Sequence, residues 1–293
     1  MRSVTAPTRT DVEAAERRIR PHLPPTPLVA GLKLETLQPT GSFKVRGALN
    51  ALLQIEEPVV TASAGNFGLA VAWAAQKLGV QATVVVAETA SPAKIAALRR
   101  FPVDLVVHGA DFDEAERHAL ALPGRYVSPY NDLDVIAGQG TIALELPADV
   151  ETIVVPVGGG GLASGIRLAT TAALIGVVPA NFPAMTAALG AGRVVEIHGD
   201  WTVADALHGN IEPGSVTVEM LEGVEIVEVT EEEIHVGMRF LAHEHGLVTE
   251  GAGATAVAAV LAGKAPSGGV AIVTGRNVTA EIFGSVLQRG AGG

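Results

Sequence analysis

Short apolar runs rich in Val and Ile alternate with alanine-rich runs of helical period along nearly the whole chain, and that alternation admits few folds. VVTAS precedes NFGLAVAWAAQKLG, ATVVVA precedes SPAKIAALRR, and VDLVVHG precedes DFDEAERHALAL. The pattern resumes with TIVVPV before four glycines and a helical run from about Leu162 to Ala173, passes through ALIGVV, and ends with GGVAIVTG before TAEIFGSVLQ. Each pair reads as a βα unit. The strands are continuously apolar rather than alternating, as strands covered on both faces are, so the expected fold class is α/β, with mostly parallel sheets under helices. A chain of 293 residues is long enough for one large domain or for two lobes with a cleft between them. A first helix is expected over DVEAAERRIR, with Asp11 as its cap and Pro21, Pro24 and Pro25 stopping it.

Composition removes several function classes. Hydrophobic residues make up 48% and charged residues 17% of the chain, far from the balance of a disordered protein. The net charge of -11 and the scattered 20 Lys and Arg offer nothing to a nucleic-acid backbone or an anionic membrane, so a small-molecule partner is expected. There is no cysteine, hence no disulfide, thiolate nucleophile or Cys-ligated metal. The apolar stretch Leu168–Val178 is closed by Pro179 and is short of the roughly 20 residues that span a bilayer. The N-terminus is charged and amphipathic, without the apolar run of an export signal. A cytoplasmic location is the resulting expectation.

Ligands of open parallel sheets bind beyond the carboxyl ends of the strands, and three loops there are chemically unusual. Lys44, in TGSFK, opens the helical run VRGALNALLQI. At a helix start its pKa falls, which favours the neutral amine that condenses with an aldehyde; a solvated first-turn lysine is the plain alternative. Ser63-Ala64-Gly65-Asn66 follows the strand VVTAS and offers free N–H groups and a hydroxyl to a carboxylate, or else is an ordinary helix cap. It also approaches a nucleophile elbow, with Thr61 where the first glycine belongs. Gly158-Gly159-Gly160-Gly161 lies after TIVVPV, where backbone N–H groups without Cβ atoms can close around a phosphate at a helix N-terminus. Gly158, Gly160 and Ala163 match a dinucleotide fingerprint, but the next strand ends Val177-Val178-Pro179-Ala180 without the acid that would hold a ribose. A phosphate monoester fits better.

The segments GSFKVRGA, SAGN and GGGG, in this order, resemble the pyridoxal-phosphate enzymes of the tryptophan synthase β type, and among them the threonine and serine dehydratases; PYNDLDVIAGQGTIALEL and TEGAGATA extend the resemblance over nearly the whole chain. It implies a two-lobed fold, with residues 1–57 and 131–293 forming the large cofactor-binding lobe and 58–130 the small substrate-side lobe. By resemblance Lys44 is the Schiff-base lysine, Phe43 packs near the cofactor ring, and Asn66 hydrogen-bonds the ring hydroxyl. Ser63, Ala64, Gly65 and Asn66 hold the substrate carboxylate, Gly158 to Gly161 cup the phosphate, and Thr274 stands beside the pyridine nitrogen. A neutral hydroxyl there cannot keep that nitrogen protonated, which weakens the ring as an electron sink and favours loss of a β-leaving group.

The activity so implied is β-elimination from serine or threonine: Lys44 takes the Cα proton, the hydroxyl departs, and hydrolysis of the enamine gives ammonia and a 2-oxo acid. β-Replacement on the same scaffold and a non-catalytic cofactor-binding protein are the alternatives. Departures from the family pattern bear on substrate choice. Phe67 replaces a histidine common after SAGN, Arg276 replaces a glycine and is expected to crowd the nitrogen end of the site, and Ala64 replaces the second serine that racemases use as an acid/base. Val178 and Ala184 occupy positions where cation-binding members carry acids, so no metal is expected there. His235, His243 and His245 fit no HExxH spacing and read as a solvated cluster near a helix end. A homodimer is the base-rate expectation.

Overall fold

The computed structural model describes residues 6–288. In chain order its elements are α1 (Arg9–Ile19), β1 (Leu28–Val29), β2 (Leu32–Leu34), α2 (Lys44–Leu52), β3 (Val59–Ala62), α3 (Asn66–Leu78), β4 (Ala82–Val86), α4 (Pro92–Leu98), β5 (Asp104–Val107), α5 (Phe112–Ala121), β6 (Arg125–Tyr126) and α6 (Leu133–Gly140). They continue with β7 (Thr152–Pro156), α7 (Gly161–Ala169), β8 (Ala173–Pro179), α8 (Ala184–Ala191), α9 (Thr217–Met220), β9 (Glu225–Val229), α10 (Glu231–His245), α11 (Gly251–Leu261), β10 (Val270–Val273) and α12 (Ala280–Gln288). No helix among the described residues is long and apolar enough to cross a membrane.

The strands form two sheets. One has six strands in the order β1-β2-β10-β7-β8-β9, the other four in the order β5-β4-β3-β6. Every pairing is parallel except the short β1–β2 ribbon. The unbroken apolar runs follow from burial on both faces. In the larger sheet Ile153, Val155, Val270 and Ile272 join one hydrophobic cluster with α7 and α8, while their neighbours Val154, Ala271 and Val273 join a second with α10 and α11. Successive side chains of a strand point to opposite faces, so two covering layers require two apolar sets. A third cluster brings Val45, Leu49 and Leu52 of α2 against Phe67, Val71 and Ala74 of α3, joining the helix that starts at Lys44 to the four-stranded sheet.

Three local expectations need correction. Asp11 is not the first cap: the helix starts earlier, and Asp11 accepts from the N–H and the hydroxyl of Thr8, each at 2.7 Å, from inside the first turn. The helix after the glycines stops at Ala169 and not Ala173, because Ala173 already pairs with Thr152 in the sheet. His235 is buried at mid-helix in α10, 3.6 Å from a Glu232 carboxylate oxygen, so it is no part of a solvated cluster; His243 and His245 do stand in the last turn before Gly246.

Candidate active site

Lys44 is the first residue of α2, and its amine donates to the Pro129 carbonyl at 2.8 Å. It lies 5.1 Å from the centre of the Phe43 ring and 5.7 Å from that of Phe67. Burial pushes its pKa down to about 8, against the opposing pull of Glu250. The direction is the one expected from the helix start, but desolvation is the larger cause. A fraction of free amine is thereby present near neutral pH, as condensation with an aldehyde requires.

The loop before Lys44 is zipped to the end of β10. Ser42 bridges Gly275, the Phe43 N–H donates to the Thr274 carbonyl at 3.0 Å, and the Arg276 N–H to the Gly41 carbonyl at 2.9 Å. Thr274 is buried, with its hydroxyl 3.3 Å from the Ala252 carbonyl. The side chain of Arg276 is exposed.

The SAGN turn closes between β3 and α3. The Ser63 hydroxyl accepts the Gly65 N–H at 3.2 Å, while the N–H groups of Ala64, Asn66 and Phe67 make no hydrogen bond to a protein acceptor among the described residues. Nothing stands within 4 Å of the space a Gly65 side chain would take. Open space before free donors at a helix N-terminus can receive a carboxylate. Asn66 donates its side-chain amide to Glu250 at 2.7 Å and accepts from Asn277 at 2.6 Å.

The four glycines join β7 to α7, with Gly160 in the left-handed region at φ 89°. The N–H groups of Gly159, Gly160, Gly161 and Leu162 have no protein acceptor among the described residues, the donor set a phosphate needs. The lack of Cβ atoms serves a second purpose. A side chain at Gly159 would strike the Tyr130 ring, and one at Gly161 the Tyr130 backbone. Thr217 donates to the Gly159 carbonyl at 2.7 Å, and the Tyr130 hydroxyl accepts the Glu212 N–H at 2.8 Å, so both partners are themselves fixed. A groove of about 1320 Å³ borders Tyr130 between α5 and residues 189–222, but none of the glycines and not Lys44 line it.

Through Pro129 and Tyr130 the lysine and the glycine loop meet, through Phe43 the lysine meets Thr274, and through Glu250 the strand end meets Asn66. The residues singled out in sequence therefore surround one place. Tyr130, Thr217, Glu250 and Asn277 belong with them and were given no role by sequence reasoning. The segments PYNDLDVIAGQG and TEGAGATA contain the first and third. The donors, the open space at Gly65 and the low-pKa amine suit a phosphorylated aldehyde and an amino acid carboxylate together.

Comparison with known proteins agrees with that geometry. Residues 19–275 match the family model described as pyridoxal-phosphate dependent enzyme. The chain is 42% identical over 280 residues to the L-threonine ammonia-lyase of Thermotoga maritima, covering 88% of this chain and 70% of that protein. Among solved structures, a threonine deaminase from T.th. superposes with a TM-score of 0.86 at 34% identity, over 93% of this chain and 99% of that one. A pyridoxal 5'-phosphate-dependent aspartate racemase superposes with a TM-score of 0.85 at 31% identity, over 94% and 97%. With its lysine, glycine loop and SAGN turn linked through Pro129, Tyr130 and Glu250, and with residues 19–275 matching the family model, the chain belongs to the pyridoxal-phosphate dependent enzymes.

Proposed function

We propose that this enzyme is an L-threonine/L-serine dehydratase, an ammonia-lyase that converts a β-hydroxy amino acid into a 2-oxo acid and ammonia. Pyridoxal phosphate supplies, when bound, an electron sink conjugated with the substrate Cα. Lys44 carries the cofactor and afterwards, as a free amine near pH 8, takes the Cα proton. The free N–H groups of the Ser63–Asn66 turn would hold the substrate carboxylate and those of Gly159 to Leu162 the phosphate, while Thr274, whose hydroxyl donates to the Ala252 carbonyl, would stand beside the ring nitrogen as a neutral group that cannot charge it. The names of two of the relatives described above, a threonine ammonia-lyase and a threonine deaminase, support threonine as a substrate.

The observation that carries elimination over racemisation is Ala64, a methyl group in the turn where racemases present a hydroxyl. Release of keto acid and ammonia from L-threonine and L-serine should outrun formation of the D-isomer, and Ala64→Ser should raise the D-isomer fraction. Chiral chromatography of L-serine digests alongside a pyruvate assay checks both. D-Serine forming as fast as pyruvate in the unaltered enzyme sinks the assignment, and a strict need for a second nucleophile points to β-replacement. The reading includes a large lobe of residues 1–57 and 131–293 and a small lobe of 58–130, supported by the four-stranded sheet drawing all its strands from between Val59 and Tyr126. It also includes a homodimer in the cytoplasm, and gel filtration against mass standards tests the former.

A further inference from the structure

Glu250 is 4% exposed and precedes α11, yet its side chain caps no N–H of that helix. It turns instead to Asn66, 184 residues away in sequence. Its carboxyl lies so close to Gly275 that a Cβ there would collide with it. On the other side of Asn66, the amide nitrogen of Asn277 donates to Asn66 Oδ1 at 2.6 Å and to the Thr40 carbonyl at 2.9 Å. The direction of this chain is set at its backbone end. A carbonyl only accepts, so Asn277 must turn its NH₂ towards Thr40 and Asn66; Asn66 must then present Oδ1 to Asn277 and its nitrogen to Glu250. Glu250 Oε1 is thus an acceptor whether or not the carboxyl is ionised. The second hydrogen on Asn66 Nδ2 has no protein acceptor among the described residues.

We propose that Glu250 and Asn277 are positioning residues that clamp the Asn66 amide in one orientation, so that its remaining N–H serves the ring oxygen of the cofactor. The inference rests on the reading of Asn66 as the ring-hydroxyl ligand. Were the amide free to rotate, half of its orientations would set oxygen against oxygen. Burial and Asp205 push the Glu250 pKa up to about 8, so near neutrality the clamp adds no negative charge to a cleft that receives a phosphate and a carboxylate. The charged groups acting there are Lys44 from α2, Lys94 from α4 and Asp205 from the turn Asp205–Leu207.

The test compares cofactor retention by the holoenzyme, followed as loss of visible absorbance during dialysis, in Asn66→Ala, Glu250→Gln, Glu250→Leu and Asn277→Asp, with kcat, KM and melting temperature measured in parallel. One correctly aimed hydrogen bond is worth about tenfold in affinity. Asn66→Ala, Glu250→Leu and Asn277→Asp should each lose cofactor about tenfold faster, the last because an aspartate can donate to neither Thr40 nor Asn66. Glu250→Gln keeps an acceptor oxygen and should stay within about threefold of the parent. Unchanged retention in Asn66→Ala would show that Asn66 is not a cofactor ligand. Loss in Asn66→Ala with unchanged retention in Glu250→Leu and Asn277→Asp would leave that reading intact and overturn the clamp, as would a Glu250→Gln protein no better than Glu250→Leu. A lowered melting temperature with unchanged retention also counts against it, since it shows a purely structural role.

Discussion

Burial moves Lys44 and Glu250 in opposite senses, the amine down to about 8 and the carboxyl up to about 8. For Glu250 the raised value means that the folded protein keeps a proton which the unfolded chain gives up near 4.5. The unfolded state then binds fewer protons between those values, so this group's contribution to stability is lost as pH rises from about 4.5 to about 8 and stays lost above. Glu250→Gln cannot ionise. Urea unfolding of the two proteins should show the variant gaining on the parent through that window, by a few kcal/mol at most, and a constant difference would mean that Glu250 titrates like an exposed carboxyl. Lys44 and Asn66 stand out in the sequence because each lies at a strand end or helix start with unusual neighbours, whereas Thr274 is reached only through the family resemblance. Glu250 does not stand out, since an acid before a glycine-rich helix reads as an ordinary helix start and its true partner is brought to it only by the fold.

At the scale of elements, the position of Lys44 depends on how α2 is anchored, and the anchor is Arg46. Its guanidinium meets buried Glu35 through two bonds of 2.8 Å and part-buried Glu145 through bonds of 2.7 and 2.9 Å, while Lys33 reaches Glu145 at 2.6 Å. Thr26 and Gln38 donate to the same two Glu35 oxygens. Removing one member of such a network leaves uncompensated buried charge. Arg46→Met should therefore cost about 3–5 kcal/mol in urea unfolding and loosen cofactor retention, since the same helix carries Lys44; a cost below about 1 kcal/mol would show the carboxylates relaxing to solvent or taking up protons. None of this was visible in sequence, where Lys33, Glu35, Arg46 and Glu145 look like four unrelated surface charges. The buried strands were legible because two covering layers make them continuously apolar. The edge strand β9, with Glu225 and Glu228, and the two-residue β6 were missed because one is half polar and the other too short to carry a pattern.

Across the whole molecule, an exposed ion pair links α4, which packs beside the four-stranded sheet, to the turn at Asp205. Lys94 on α4 meets Asp205 at 2.7 Å, with 41% and 50% of the two side chains exposed, and both residues act on the Glu250 carboxyl. An exposed pair contributes about 0–1 kcal/mol to folding. Any conformational equilibrium near balance, however, is shifted several-fold by about 1 kcal/mol, so a contact too weak to matter for stability can still bear on substrate affinity. Lys94→Met should leave the urea midpoint nearly unchanged and raise KM for threonine by roughly two- to fivefold, because the contact between α4 and the turn at Asp205, beside Glu250, is then lost. Salt supplies an independent check, since an exposed pair is screened at high ionic strength while buried contacts are not. The parent's KM should climb towards that of Lys94→Met as sodium chloride is added, and the variant's should respond less. Equal salt dependence in the two proteins, or a KM unmoved by the substitution, would show that the Lys94–Asp205 pair has no part in substrate binding.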